Sequence, residues 1–438
     1  MSRPVDVAPV GRRQFLQTSA AIAALTAAGG VHSSRAADSK ASPNEKLNIG
    51  IIGTANRAGG NIAGVQHENI VAICDIDENY LGKAAERFPQ AQKHVDFRKL
   101  LEQSGIDAVV ISTPDHIHAP ATAAAIQLGK HVYVEKPLSH SVYEARVLAD
   151  LANKHKVATQ MGTQVHASNN YRRVVEVIRS GAIGPVREAH VWVGKEWGGG
   201  ERPKETPPVP KTLHWDLWLG PAPERPYHSV YVPGNWRRWW DFGCGTLGDM
   251  GCHYLDLPFW ALDLKYPTTV SAEGPPVHAE TAPKWMIARY NFPARGEQPA
   301  CKLTWYDGGK RPELFEQGKL PKWGDGVLFI GDKGMMLADY GRYVLLPEND
   351  FKEFKAPEKS IPDSIGHYHE WLKSCRDGSP TTCNFNYSGA LTETVHLGNV
   401  AYRVGQEIAW DSQKLVATNC SAAEHYIKRE YRKGWKLV

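Results

Sequence analysis

Between residues 47 and 161, short apolar runs alternate with stretches of helical periodicity, the pattern of a parallel sheet whose crossovers are helices. The runs at 47–53 (LNIGIIG), 70–75 (IVAICD), 108–113 (AVVIST), 131–135 and 157–161 read as strands apolar enough to be buried on both faces. Between them, 59–65, 77–88, 97–103, 118–129 and 141–155 read as helices, the fourth ended by Gly129. This predicts a doubly wound Rossmann domain over residues 46–165.

Beyond residue 165 the rhythm changes to longer loops and alternating strands. Strand character appears at 186–196, 286–292, 302–306, 327–330, 335–339 and 342–346, and helical character at 169–180, 247–262, 365–377 and 387–404. The stretch 196–211 is rich in glycine and proline and reads as a loop. The expected class is α/β, with a Rossmann domain followed over 166–438 by an α+β domain built on an open, mostly antiparallel sheet.

The first 45 residues follow a different logic. Arg12-Arg13 precedes Gln14-Phe15-Leu16 and an apolar run at 20–31 that is short and rich in Ala and Gly. It is similar to a twin-arginine signal, and too short for the roughly 20 apolar residues a membrane span needs. Cleavage after Ala36 or Ala37 is expected, leaving 1–37 as signal, 38–45 as linker, and an exported, periplasmic protein without a stable span.

The formal charge is +4, of which residues 1–36 supply +3. The remainder is near neutral, with no basic run, so nucleic acid and anionic lipid have no electrostatic footing. The seven cysteines, at 74, 244, 252, 301, 375, 383 and 420, form no paired framework. Buried thiols are expected, with at most one opportunistic disulfide, such as Cys375 with Cys383. The pairs His116/His118 and His367/His369 lack the cysteine or carboxylate partners of a zinc site, and no metal is expected.

Candidate chemistry begins at Gly53, which ends the first strand where a tight turn brings backbone to a pyrophosphate. The segment Gly53-Thr54-Ala55-Asn56-Arg57-Ala58 departs from G-x-G-x-x-G at its middle glycine. Asp75 ends the second strand, 22 residues later, where a carboxylate accepts bonds from a ribose and repels a 2′-phosphate. NAD is therefore expected over NADP. Lys136 sits at the rim of the sheet, where an ammonium brought toward neutrality could stabilise an alkoxide. Asp249 and His253 stand four apart on one face of a helix, so that the carboxylate would raise the basicity of the imidazole and fix its tautomer. Seven of the fourteen tryptophans fall between residues 191 and 241. Trp236 and Trp240, with Arg237, could line a sugar cleft or fill a core. His166 and Tyr171 follow the sixth strand and are further candidates for substrate contact.

Residues 47–57 (LNIGIIGTANR), Ser112-Thr113-Pro114, Glu135-Lys136-Pro137 and Gly248-Asp249-Met250-Gly251-Cys252-His253 together resemble the Gfo/Idh/MocA family, over nearly all of 46–438. The resemblance implies NAD held by Gly53, Thr54, Ala55, Asn56, Arg57, Asp75, Ser112, Thr113, Pro114, His118, Glu135 and Lys136. It further implies a cis Lys136–Pro137 bond, catalytic roles for Lys136, Asp249 and His253, and a homo-oligomer, dimer or tetramer, formed through the open sheet.

The resulting expectation is an oxidoreductase that moves hydride between NAD and a sugar, polyol or glycoside. Export adds a constraint. With no external pool to exchange with, the cofactor must return to its starting state within each cycle, either by coupling two sugars or by transient oxidation during glycoside cleavage. The rival from another class is a carbohydrate-binding protein that keeps the fold without turnover.

Overall fold

The computed structural model describes residues 46–438. The twin-arginine motif, the apolar run after it and the expected cleavage position lie outside the described residues. Strands β1 (Asn48–Ile52), β2 (Asn69–Cys74), β3 (Gln92–His94), β4 (Ala108–Ile111), β5 (His131–Val134) and β6 (Thr159–Met161) form a parallel sheet in the order β3-β2-β1-β4-β5-β6. Helices α1 (Ala58–Val65), α2 (Glu78–Arg87), α3 (Phe97–Glu102), α4 (Asp115–Gln127) and α5 (Val142–His155) make the crossovers. All four residues of β4 are buried, which is why the strand is a continuous apolar run. The helix starts are written in side-chain caps. Asp77 accepts from the Asn79 amide and Ser141 from the Glu144 amide, while Glu144 reaches back to the His140 amide. β1 pairs with both β2 and β4, so the strand order reverses between β1 and β4, and a crevice opens at their carboxyl ends.

After α6 (Asn169–Arg179), strands β7 (Val186–Trp192), β8 (Thr269–Glu273), β9 (Ile287–Phe292), β10 (Cys301–Tyr306), β11 (Gly326–Gly331), β12 (Gly334–Ala338), β13 (Tyr343–Leu346), β14 (Ile408–Asp411) and β15 (Val416–Ala417) build a nine-stranded sheet. Its order is β13-β12-β11-β7-β10-β9-β8-β14-β15, antiparallel except where β7 meets β10. Helices α7 (Trp215–Leu219), α8 (Gly245–Tyr254), α9 (Asp256–Ala261), α10 (His367–Asp377) and α11 (Phe385–Val404) complete the part that concerns the site. The single helix expected over 247–262 is two helices meeting at Leu255. Pro258 has no N–H to offer the Tyr254 carbonyl, so the ladder breaks one turn upstream. The buried helix α11 packs against α5 and α8, and Gly405 ends it in the left-handed conformation, φ +69°. Through α11, the helix carrying Asp249 is fixed against the nucleotide-binding half.

Candidate active site

The turn after β1 requires glycine. Gly53 has φ +83°, and a Cβ there would lie 2.7 Å from the Ser112 carbonyl oxygen. The next residues wind into α1 through Asn56 at φ +53°, which leaves Ala55 and Asn56 on the wall of the crevice. Asp75 is fixed opposite them. One carboxylate oxygen accepts from the Thr54 amide and hydroxyl, both at 2.9 Å, and the other from the Asp77 amide at 3.0 Å. Burial raises its pKa and these bonds oppose the rise. Ser112, Thr113 and Pro114 after β4 close the base of a cleft of about 340 Å³. A backbone cradle that a Cβ would fill, with a carboxylate at the end of β2, suits the pyrophosphate and ribose of a dinucleotide.

Beside this cleft lies a polar cluster. The Lys136–Pro137 bond is cis. The Lys136 ammonium donates to the Asp249 carboxylate at 2.7 Å and to its backbone carbonyl at 2.8 Å, with both side chains 12% exposed. Arg237 donates from Nε to the same carboxylate oxygen at 3.1 Å, and its guanidinium lies over Trp236, 4.4 Å from the ring centre. Burial would raise the Asp249 pKa, but Lys136 and Arg237 together hold it well below the usual carboxylate range. Burial likewise pulls Lys136 down, and the charges of Asp249 and Glu135 outweigh it, so the ammonium is stabilised. His253 is pushed down to about 3, chiefly by burial and then by Lys136. Its Nδ1 is buried without a hydrogen-bond partner. Asp115, next to Pro114 and 3% exposed, is raised to about 7 by burial despite Arg237 and Lys136. The cluster therefore combines a fixed cation, a neutral imidazole able to take a proton, and a buried carboxyl that titrates near neutrality.

Residues 47–163 match the family described as "Oxidoreductase family, NAD-binding Rossmann fold", and residues 171–304 match "Oxidoreductase family, C-terminal alpha/beta domain", both of Gfo/Idh/MocA. The chain belongs to the Gfo/Idh/MocA oxidoreductase family. It is 26% identical over 260 residues, 54% of this chain and 51% of the relative, to a glycosyl hydrolase family 109 protein of Saccharopolyspora erythraea. The chain spans about half the length of that relative. Among solved structures of the same fold are the WlbA dehydrogenase of Bordetella pertussis in complex with NADH and UDP-GlcNAcA, and the aldose-aldose oxidoreductase of Caulobacter crescentus complexed with glycerol. The first gives a TM-score of 0.60 at 17% identity, covering 84% of this chain and 99% of the other. The second gives 0.57 at 16%, covering 83% and 100%. NAD is the cofactor of the first domain.

Within this family frame, several side chains expected at the site are turned elsewhere. His118 is buried between two carbonyls, Nδ1 at 2.7 Å from Pro137 and Nε2 at 2.8 Å from Thr113, so it braces the cofactor and lysine loops and does not face the cleft. Arg57 folds back on Glu135 at 2.9 Å, and Glu135 is further held by Gln164 at 2.9 Å and wedged against Gly162. Asp249 makes no hydrogen bond to His253. Its carboxylate is taken by the two cations, so it does not fix the imidazole's tautomer, and its charge raises the His253 pKa by less than burial and Lys136 lower it. The Asp249 contact also keeps Lys136 from the lowered pKa that the sequence suggested. His166 donates to Asp256 at 2.9 Å in a buried pair that also receives Tyr387, and its ring stacks on Trp260. Tyr171 is fully buried, with its hydroxyl 3.2 Å from the His253 carbonyl, where it supports that turn.

Trp236 and Trp240 are both buried, and the Trp240 indole donates to the His278 carbonyl at 3.3 Å, in a small cavity with His140, His396 and Arg403. Of the three residues proposed as a cleft wall, Arg237 alone joins the cluster. All seven cysteines are free, Cys375 and Cys383 included, and no metal-binding group occurs among the described residues. No described helix is long and apolar enough to cross a membrane. Trp218, one of the seven clustered tryptophans, does line the cleft, whereas Asp115 reads in sequence as an ordinary first-turn helix acid and Trp435 stands apart near Val438, so neither is foreseen at the site.

Proposed function

We propose that this protein is an exported, NAD-dependent oxidoreductase acting on a carbohydrate hydroxyl, with its cofactor retained through the catalytic cycle. The observation that carries this is the Lys136–Asp249–Arg237 cluster with a neutral His253, adjoining the cleft built by Gly53, Asp75 and the 112–114 loop. NAD, when bound, supplies a hydride acceptor at its nicotinamide ring. The chain supplies the proton chemistry. Lys136, held charged by Asp249, donates a hydrogen bond to the substrate oxygen and stabilises negative charge on it. In this reading His253, neutral at physiological pH, accepts the hydroxyl proton. Arg237, braced on Trp236, offers further donors to ring hydroxyls or an acidic substituent. Self-association through the open nine-stranded sheet is part of the proposal, and sedimentation as a monomer would reject that part.

The similarity to a family 109 glycosyl hydrolase favours a second reading, in which oxidation is transient. The ring carbon is oxidised, the acidified neighbouring C–H is lost with elimination of the aglycone, water adds, and hydride returns to the carbon. Purified mature protein is denatured and released NAD is read by absorbance. A panel of sugars and glycosides is then screened by mass for oxidised, reduced and hydrolysed products. Bound NAD with oxidised or exchanged sugars supports the first reading, and bound NAD with hydrolysis and no net oxidation supports the second. Protein that binds glycosides, contains no NAD and is unaffected by Lys136→Ala is a carbohydrate-binding protein, and both enzymatic readings fail.

A further inference from the structure

The walls of the cofactor cleft come from outside the nucleotide-binding sheet. On one side, residues 210–214 pair with the chain just beyond Asp75. The Glu78 amide donates to the Thr212 carbonyl at 2.8 Å and the His214 amide to the Ile76 carbonyl at 2.9 Å, with Asn79 Nδ2 on the Thr212 hydroxyl at 3.0 Å. This sets Leu213 in the wall, and α7 continues it with Leu217 and Trp218. On the other side, Trp435 enters the cleft from a segment more than 300 residues removed from the β3–α3 turn it meets. Its ring lies 5.9 Å from Phe97, and the Arg98 guanidinium stands 4.5 Å from its centre.

The segment that carries Trp435 is anchored, not draped. Arg432 donates from Nε to the Gly220 carbonyl at 3.0 Å and from its two Nη atoms to the Asp216 carbonyl and carboxylate at 2.9 and 2.5 Å. Its amide reaches the Pro221 carbonyl at 3.0 Å, and Tyr431 donates to Glu144 of α5 at 2.6 Å. The strand of chain 429–437 therefore links α7, on one wall, to Phe97 and Arg98 on the other. Trp435 is only partly buried and faces cavity, so its ring is placed to cover a ligand more than to fill a core. The apolar side chains of Trp435, Phe97 and Val95, with the two rings inclined at 45°, line the cleft beyond the carboxylate that suits a ribose, at the end where the adenine of a dinucleotide would lie.

We infer that residues 429–437 form a strap that retains the dinucleotide in its cleft, with Trp435 covering the adenine end. The inference rests on the NAD reading above. It supplies a physical cause for cofactor retention, because NAD leaves only when the Arg432 contacts to α7 and the Trp435 contacts to Phe97 and Arg98 part.

The test is the release rate of NAD from the intact purified protein, followed by rapid dilution into an NAD scavenger, for the parent and for Trp435→Ala, Trp435→Phe and Arg432→Ala. Release is expected to quicken at least about tenfold in Trp435→Ala and Arg432→Ala, with Trp435→Phe close to the parent. Melting of the NAD-free proteins identifies any variant that fails to fold, and the two segments of the strap are probed independently so that either can carry the result. A parent that holds NAD, with unchanged release in folded Trp435→Ala and Arg432→Ala, overturns the strap and leaves the functional reading standing. A parent that neither contains nor binds NAD overturns both.

Discussion

The Lys136 ammonium grips Asp249 twice, at the carboxylate and at the backbone carbonyl, and so ties the rim of the parallel sheet to the first turns of α8. Arg237 shares the same carboxylate oxygen. Two cations on one buried carboxylate leave an excess of positive charge, which is the environment an alkoxide needs.

Removing either member of that pair has different expected consequences. Lys136→Met leaves Asp249 still paired with Arg237, so the fold is expected to survive with a modest loss of stability. Turnover should fall by about 10²-fold or more, the usual effect of deleting a donor to a developing oxyanion. Asp249→Leu strands two part-buried cations and should cost more stability, up to about 3 kcal/mol, the lower end for breaking a buried pair from the side that leaves charge uncompensated. Urea melts and turnover measured on both variants check the ordering. Equal destabilisation, or Lys136→Met at parental rate, rejects this account.

Buried neutral histidines make stability fall in acid. Burial pushes His253, His116 and His367 down to about 3, and His396 to about 4. Each folded value lies below the ordinary value of about 6.5, so the unfolded chain binds the proton first. The stability they contribute is whole above about pH 6.5 and drains as the pH falls toward the folded values. At about 1.4 kcal/mol per unit, even one such group is a large share of a typical net stability of about 5–15 kcal/mol. Denaturant midpoints should therefore drop from pH 6.5 to 4, by less than the histidines alone would give because Asp115 and Asp307, raised to about 7, gain over the same range, and a rise in the midpoints would overturn this reading.

His118 touches two loops at once, and a substitution there should disturb both. A neutral ring donates to one of its two carbonyls and an imidazolium to both, so either state ties the Thr113 loop to the Lys136–Pro137 peptide. His118→Phe keeps the volume and leaves a buried carbonyl unpaired, at a cost of about 1–3 kcal/mol. Expected together are weaker NAD binding by calorimetry and slower turnover, each by about tenfold, with His118→Gln intermediate. A lower melting temperature with NAD affinity and turnover both unchanged would reduce His118 to a core residue.

Much of this was legible because local rules and tertiary needs agreed. The strand 108–111 is an unbroken apolar run since both its faces are covered, and the Gly53 turn and Asp75 stand where a βαβ unit must put them. Legibility failed where a side chain's partner is remote. Asp249 and His253 share a helix face in sequence, yet the partner of Asp249 is Lys136, 113 positions away. His166 and Trp240 looked polar and aromatic enough for a sugar cleft, and their partners, Asp256 and His278, turn them into buried supports. Strands β3 and β15 escaped notice because one is three polar residues and the other a two-residue edge, where pairing with a neighbour outweighs intrinsic propensity.

Asp115 offers the sharpest electrostatic test, since its expected pH dependence runs opposite to that of the histidines. Burial raises its carboxyl to about 7 against the pull of Arg237 and Lys136. The folded value thus lies above the unfolded value of about 3.9, so its contribution is fully present below pH 4 and is lost as the pH rises through 7. Asparagine copies the protonated form and cannot ionise. The advantage of Asp115→Asn over the parent in urea should grow between pH 5 and pH 8, by on the order of 1 kcal/mol or more. Subtracting the two profiles cancels the histidine contribution common to both. A variant weakened equally at both pH values would mean that Asp115 is held ionised by the two cations, and that the cluster is neutral where we have placed an excess of positive charge.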